Sequence, residues 1–152
     1  MLLFCAMNSP TPVAAQASSR IDCALLILRI GSAVVFLYHG SAILFGAFGG
    51  PGPERFAAFM HAPAAVGYLV GLAQFAGALA LLTGILFRVG ALCIMIVMLG
   101  AIFLVHLPHG FDVSKGGIEF ALTQFLIALA LLLTGAGKYS LGSRLPGPIR
   151  NL

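Results

Sequence analysis

The chain has 152 residues, of which 61 % are hydrophobic and 8 % charged, against roughly 45–50 % and 25 % in an ordinary soluble domain. With a mean hydropathy of +1.09 it has too few charges to cover a water-soluble sphere, and its length suits one domain. The net charge of +4 comes from eight Lys and Arg that never cluster, a pattern that sets membrane topology and does not suit nucleic acid.

Residues 1–20 read as a disordered tail. Met1–Met7 is apolar but short, no Lys or Arg precedes it, and Ala15-Gln16-Ala17 only resembles a cleavage site, which falls short of a secretory signal. Ser9–Ser19 is rich in Pro, Ala and Ser, a composition that cannot bury enough apolar surface to order itself. Met1 and Met7 both fit as the start of translation. Cys5, Cys23 and Cys93 form no C-x-x-C and no even set, so they encode neither a disulfide framework nor a zinc site. They read as small buried hydrophobes.

A crossing helix needs about 20 mostly apolar residues. Four segments supply them, at about 21–48, 63–87, 89–107 and 118–136, which places a membrane domain over 21–142 and a C-terminal tail over 143–152. Between the first two spans, Gly49–Pro53 is a turn cluster. Beyond it Phe56, Phe59 and Met60 fall on one face of a short interfacial helix. That helix either roofs the bundle or lies on the membrane surface. In the second span Gly67 and Gly71 form a G-x-x-x-G, with Gly77 and Gly84 beyond, small residues that let helices approach in lipid. A tight turn around Phe87-Arg88 makes the second and third spans antiparallel neighbours. An all-α, up-down-up-down bundle of four transmembrane helices follows. Arg20, Arg29, Arg88, Lys138, Arg144 and Arg150 fall on one side and only Arg55 and Lys115 on the other. The bias predicts both termini in the cytoplasm.

Polar side chains at membrane depth are expensive and mark function by default. Arg29 lies about 12 Å into the first span at 1.5 Å per residue. It either snorkels to the interface or faces the bundle toward Ser32, a carbonyl or an anion. His39, beside Tyr38, lies in the opposite third of that span. Gln74 sits mid-way along the second, His106 ends the third, and Glu119 opens the fourth, followed by Thr123 and Gln124. One ionisable or amide group from each helix thus converges on one half of the bundle.

Such a set supports two readings. A histidine and a desolvated carboxylate move protons, which suits a quinone head group with its two carbonyls and two protons. Alternatively His39, Gln74, His106 and Glu119 hydrogen-bond one another and only pin the helices. A metal is disfavoured because no ligands pair on one helix as Glu-x-x-His does. His106 and His109 are three apart, but Pro108 between them predicts that the helix has ended. His61, His109, Asp112 and Lys115 read as solvated loop residues.

These residues also carry a family resemblance. Arg29-Ile30-Gly31 and His39-Gly40 are followed by Gly71-x-x-Gln74-x-x-Gly77, Leu82-Thr83-Gly84 and Phe87-Arg88. His106, Gly117-Ile118-Glu119 and Gly135-Ala136-Gly137-Lys138-Tyr139-Ser140-Leu141-Gly142 complete the pattern. Over about residues 29–142 the chain resembles the DoxX family, small four-helix membrane proteins of bacteria. Similar sequences often carry Glu where Gln74 stands and Asp where Gly142 stands, and the first difference weakens a proton relay through the second helix. The resemblance implies a multi-pass protein of the bacterial inner membrane associated with quinol oxidases or quinone-reducing complexes, with other members tied to thiol and oxidative-stress responses. The unpaired cysteines here count against thiol–disulfide chemistry.

The resulting expectation is a quinone- or quinol-interacting subunit of a membrane redox system. It would hold no covalent cofactor but a bound quinone, and would work in the bilayer with a respiratory or other redox protein, alone or as a homo-oligomer. His39, His106 and Glu119 would bind the head group or move protons, Gln74 would donate a hydrogen bond, and Arg29 would anchor the opposite side. The alternative is a non-enzymatic assembly or scaffold subunit of a larger membrane complex. A carrier is disfavoured, since no inverted repeat is evident.

Overall fold

The computed structural model describes residues 12–144, and side chains from residue 16 onward. Helix α1 runs Pro12–Phe45, α2 Gly52–Phe59, α3 Ala64–Thr83, α4 Phe87–Gly100 and α5 Glu119–Thr134. Beyond α4 the chain stays helical through a π-helical turn, Ala101–His106, and a 3-10 turn, Leu107–His109. Three helical stretches are long and apolar enough to cross a membrane: Gln16–Phe45, Ala64–Thr83 and Phe87–His109. The fourth apolar helix, α5, has 16 residues, about 24 Å at 1.5 Å per residue, short of the full expected span. The chain is a multi-pass membrane protein, and its regular structure among the described residues is all helical.

Element boundaries differ from the sequence expectation for local reasons. Residues 12–20 are helical and extend α1 where a disordered tail was expected; Pro12 suits a first helical position, whose N–H has no partner in any case. The remainder of that tail, residues 1–11, and the C-terminal tail from residue 145 lie outside the described residues. Helix α3 stops at Thr83 because Gly84 adopts φ 74°, a left-handed cap that glycine takes without strain. The turn is therefore Gly84-Ile85-Leu86, ahead of Phe87-Arg88. Pro108 does not end the third stretch, because it enters a 3-10 turn at an early position where a missing N–H costs little.

Helix α1 packs along α3, α3 along α4, and α4 along α5, while α2 lies across the start of α3. Glycines set the spacing. A Cβ at Gly40 would lie 2.6 Å from the backbone nitrogen of Phe75, one at Gly71 3.1 Å from Leu44, and one at Gly77 3.1 Å from the carbonyl of Gly90. The G-x-x-x-G thus faces α1 through Gly71 and the start of α2, at Pro53, through Gly67. The core between the helices holds Phe36, Leu81, Phe87, Ile94 and Leu131, all nearly or fully buried.

Candidate functional site

The two ends of the bundle are built differently. At one end Arg29 is 1 % exposed and spends its guanidinium on four backbone carbonyls. Its Nε donates to Leu81 O at 2.8 Å and Nη2 to Leu82 O at 3.0 Å. Its Nη1 donates to Ala136 O at 2.7 Å and Tyr139 O at 2.8 Å. The ring of Phe87 lies 5.6 Å from its Cζ. Leu81 and Leu82 belong to the last turn of α3, whose carbonyls have no helical partner and carry the negative end of the helix dipole. Of its two expected orientations Arg29 therefore takes the one that faces the bundle, with carbonyls and not Ser32 as its partners. Ser32, one turn on, donates to Gln124 Oε1 at 2.9 Å and ties α1 to α5.

The other end holds a cavity of about 410 Å³, within the range of small-molecule sites. It is built from helical stripes. Phe36, His39 and Ile43 come from α1; Val66, Val70 and Gln74 from α3; Ala101, Val105 and His106 from the π-helical turn; Phe120 and Ala121 from α5. Phe56 and Phe59 of α2, with Met60 just past its end, close it, so the short amphipathic helix does roof the cavity. Ile96, Leu104 and Phe59 on the wall are 61 %, 72 % and 69 % exposed. The opening therefore looks out between exposed apolar side chains.

Three polar residues look into this apolar space. Gln74 is 5 % exposed; its amide bonds no other described residue and keeps contact with the cavity. His39 stands edge-on to Tyr38, ring centres 5.4 Å apart, and 6.3 Å from Phe120. His106 Nδ1 lies 2.6 Å from the carbonyl of Gly116. A carbonyl only accepts, so Nδ1 carries the proton and Nε2 is the free ring nitrogen, an acceptor in the neutral imidazole. The π-helical turn widens the helix by one residue per turn where His106 enters the wall, a geometry common at functional sites.

Of the five residues singled out by sequence, the structure brings together His39, Gln74 and His106. Glu119 is at the right depth but off the wall: its Oε2 accepts from the N–H of Val113 at 3.1 Å, latching the loop before α5, and Phe120 and Ala121 take the wall instead. Arg29 sits at the opposite end. Among the described residues, no hydrogen bond joins His39, Gln74, His106 and Glu119 to one another. The aromatic part of the site was legible only in pieces. Phe36 precedes His39 by one turn and Phe120 follows Glu119, yet nothing in residue type marks the π-helical turn.

The loop between the third stretch and α5 is ordered by its own bonds. The hydroxyl and amide of Ser114 both bond Asp112 Oδ1 and hold its carboxyl below the usual carboxylate range. His109 Nδ1 lies 3.0 Å from Val105 O, so both histidines of the His106/His109 pair spend that nitrogen on backbone. Among the described residues no group of three or more His, Cys, Asp or Glu is placed to hold a metal.

No curated protein and no solved structure matches the chain. The family model DoxX matches residues 24–107, more than half of the 152 residues. The matched stretch carries Arg29, His39, Gln74 and His106, and thus both the clamp at one end and the polar wall of the cavity at the other. The chain belongs to the DoxX family.

Proposed function

We propose that the cavity receives the head group of a quinone or quinol, and that the protein serves a membrane redox system as its quinone-interacting subunit. The observation that carries this reading is Gln74, whose amide opens into an otherwise apolar cavity and bonds no other described residue, a polar group left free for a ligand where most are taken up within the protein. In this reading the Gln74 N–H₂ would donate to a quinone carbonyl. His106 Nε2 would accept from a quinol hydroxyl, and His39 would supply a second acceptor. Phe36, Phe56 and Phe120 offer aromatic faces to a planar ring. When a quinol gives two electrons to a redox partner it releases two protons, and imidazoles, titrating near neutrality in water, are suited to take them.

In this reading α5 crosses the bilayer with the turns that flank it, completing an up-down-up-down arrangement of four spans. The Arg29 end faces the cytoplasm with both termini, in the bacterial inner membrane, as the distribution of Lys and Arg indicates. Arg29 and the Ser32–Gln124 bond favour a structural role for those residues, which is the core of the scaffold reading. The cavity trio takes no part in that bracing.

The test is mass spectrometry of solvent extracts from gently purified wild-type protein and the His39→Ala and Gln74→Leu variants. Quinone near one per chain in wild type, falling about tenfold in each variant for loss of one good hydrogen bond, supports the assignment. Wild type without quinone, or variants that keep it, overturns it.

A further inference from the structure

The closing pattern Gly135–Gly142 lies at the Arg29 end, away from the cavity, and calls for its own account. After α5 the chain turns back beneath α3. The N–H of Leu141 donates to Thr83 O at 2.8 Å, and Gly142 packs against Gly84. The bend is then fixed internally: the N–H of Ser143 donates to Ser140 Oγ at 3.1 Å and the Ser143 hydroxyl to Ser140 O at 2.6 Å. With Ala136 O and Tyr139 O held by Arg29, the segment is a bracket pinned to α1 and α3.

That bracket encloses a second cleft, of about 420 Å³, with Lys138, Arg144 and Tyr139 on its polar side and Leu82 and Leu141 beside them. Both cations are exposed, and among the described residues neither forms an ion pair. Asp22, the acidic group on that side, accepts the backbone N–H of Lys138 at 2.9 Å, so it serves the bracket. Leu82 and Leu141 are 41 % and 54 % exposed. Two cations set six residues apart by a rigid bend, with an apolar strip alongside at the level where α3 and α5 end, match an amphiphile's anionic head and the start of its chains. Basic pockets at such levels take anionic head groups.

We propose that this cleft is a phosphate-binding site at the membrane surface, with Lys138 and Arg144 taking the oxyanion of a phospholipid head group or of free phosphate. Guanidinium and ammonium are the usual partners of that group, the one as a planar fork and the other as a point charge. The site is separate from the cavity, at the other end of the bundle.

The experiment uses the full chain in detergent, with phosphatidylglycerol, phosphatidylcholine and inorganic phosphate as probes. Lipid retention is read by native mass spectrometry and Tm by thermal unfolding. A Lys138→Gln/Arg144→Gln double variant is compared with an Arg20→Gln/Arg88→Gln variant of equal net charge, and a Lys138→Arg variant tests rescue. The expected result is retention of phosphatidylglycerol over phosphatidylcholine. It should weaken on the order of 30-fold in the cleft variant, two cations being lost. It should persist in the Arg20/Arg88 variant and in Lys138→Arg. A Tm rise with inorganic phosphate alone, lost in the same cleft variant, supports the site with free phosphate as its source. No preference for phosphatidylglycerol and no phosphate effect, or equal losses in the two double variants, overturns it. Both side chains being exposed, the variants retain their fold, and circular dichroism checks that they do.

Discussion

Polar residues in this protein divide by whether their bonds are filled. Arg29 spends four of its five N–H donors on backbone, and its worth is structural. In lipid an interhelical hydrogen bond contributes about 0.6 kcal/mol on average, so the four bonds of Arg29 are worth roughly 2–3 kcal/mol. Arg29→Met should therefore lower the thermal stability of the detergent-solubilised protein by that amount. Arg29→Lys, with three rotatable donors in place of a planar fork, should recover only part of it. His39→Ala should move Tm little, because His39 bonds nothing among the described residues. A melting curve for each variant checks this, and an Arg29→Met protein as stable as wild type contradicts it. The same contrast explains what the sequence could convey about the site. Span depth along the chain identified His39, Gln74 and His106 as costly groups at one level, and Glu119 with them. Depth carries no information about which way round the helix a side chain points, and that angle separates Glu119, latched to Val113, from its neighbour Phe120 on the cavity wall.

Helices meet here through glycine, and glycines on a single helix are not equivalent. On α1, Gly40 touches the backbone of Phe75 while a Cβ at Gly31 would meet nothing within 4 Å. Gly40→Ala should push α1 from α3 and destabilise by about 1–3 kcal/mol, as overpacking does. Gly31→Ala should be neutral or stabilise by up to about 1 kcal/mol, since alanine loses less backbone freedom in a helix. Parallel thermal melts decide it, and equal shifts would contradict the close crossing. Hydropathy located the apolar helices well because 20 apolar residues leave few alternatives. It misplaced their ends because those depend on single backbone conformations: Gly84 at φ 74°, Pro12 at a helix start, and a π-helical turn that no composition marks.

The molecule as a whole has a braced end and an open end. The proposed orientation puts the braced end in the cytoplasm, and cysteine labelling in intact cells tests it. In a background without native cysteines, Arg55→Cys in α2 should react with a membrane-impermeant maleimide added outside. Arg88→Cys, beside the turn from α3 to α4, should react only after the membrane is opened. The reverse pattern would invert the orientation and place the cavity end inside.

Arg29 has a further consequence, for biogenesis. Its carbonyl partners lie 52 and 53 residues downstream in α3 and 107 and 110 residues downstream past α5. A first helix entering the membrane thus carries a charge of a kind that costs up to about 2.5–3.5 kcal/mol on the insertion scale, and less toward the membrane's edge, while none of the carbonyls that solvate it has yet been synthesised. α3 supplies half of them and the Gly135–Gly142 bracket the rest. Completion of the bundle is thereby coupled to the arrival of its last segment: a nascent chain halted before residue 136 lacks two of the four carbonyls that hold the guanidinium.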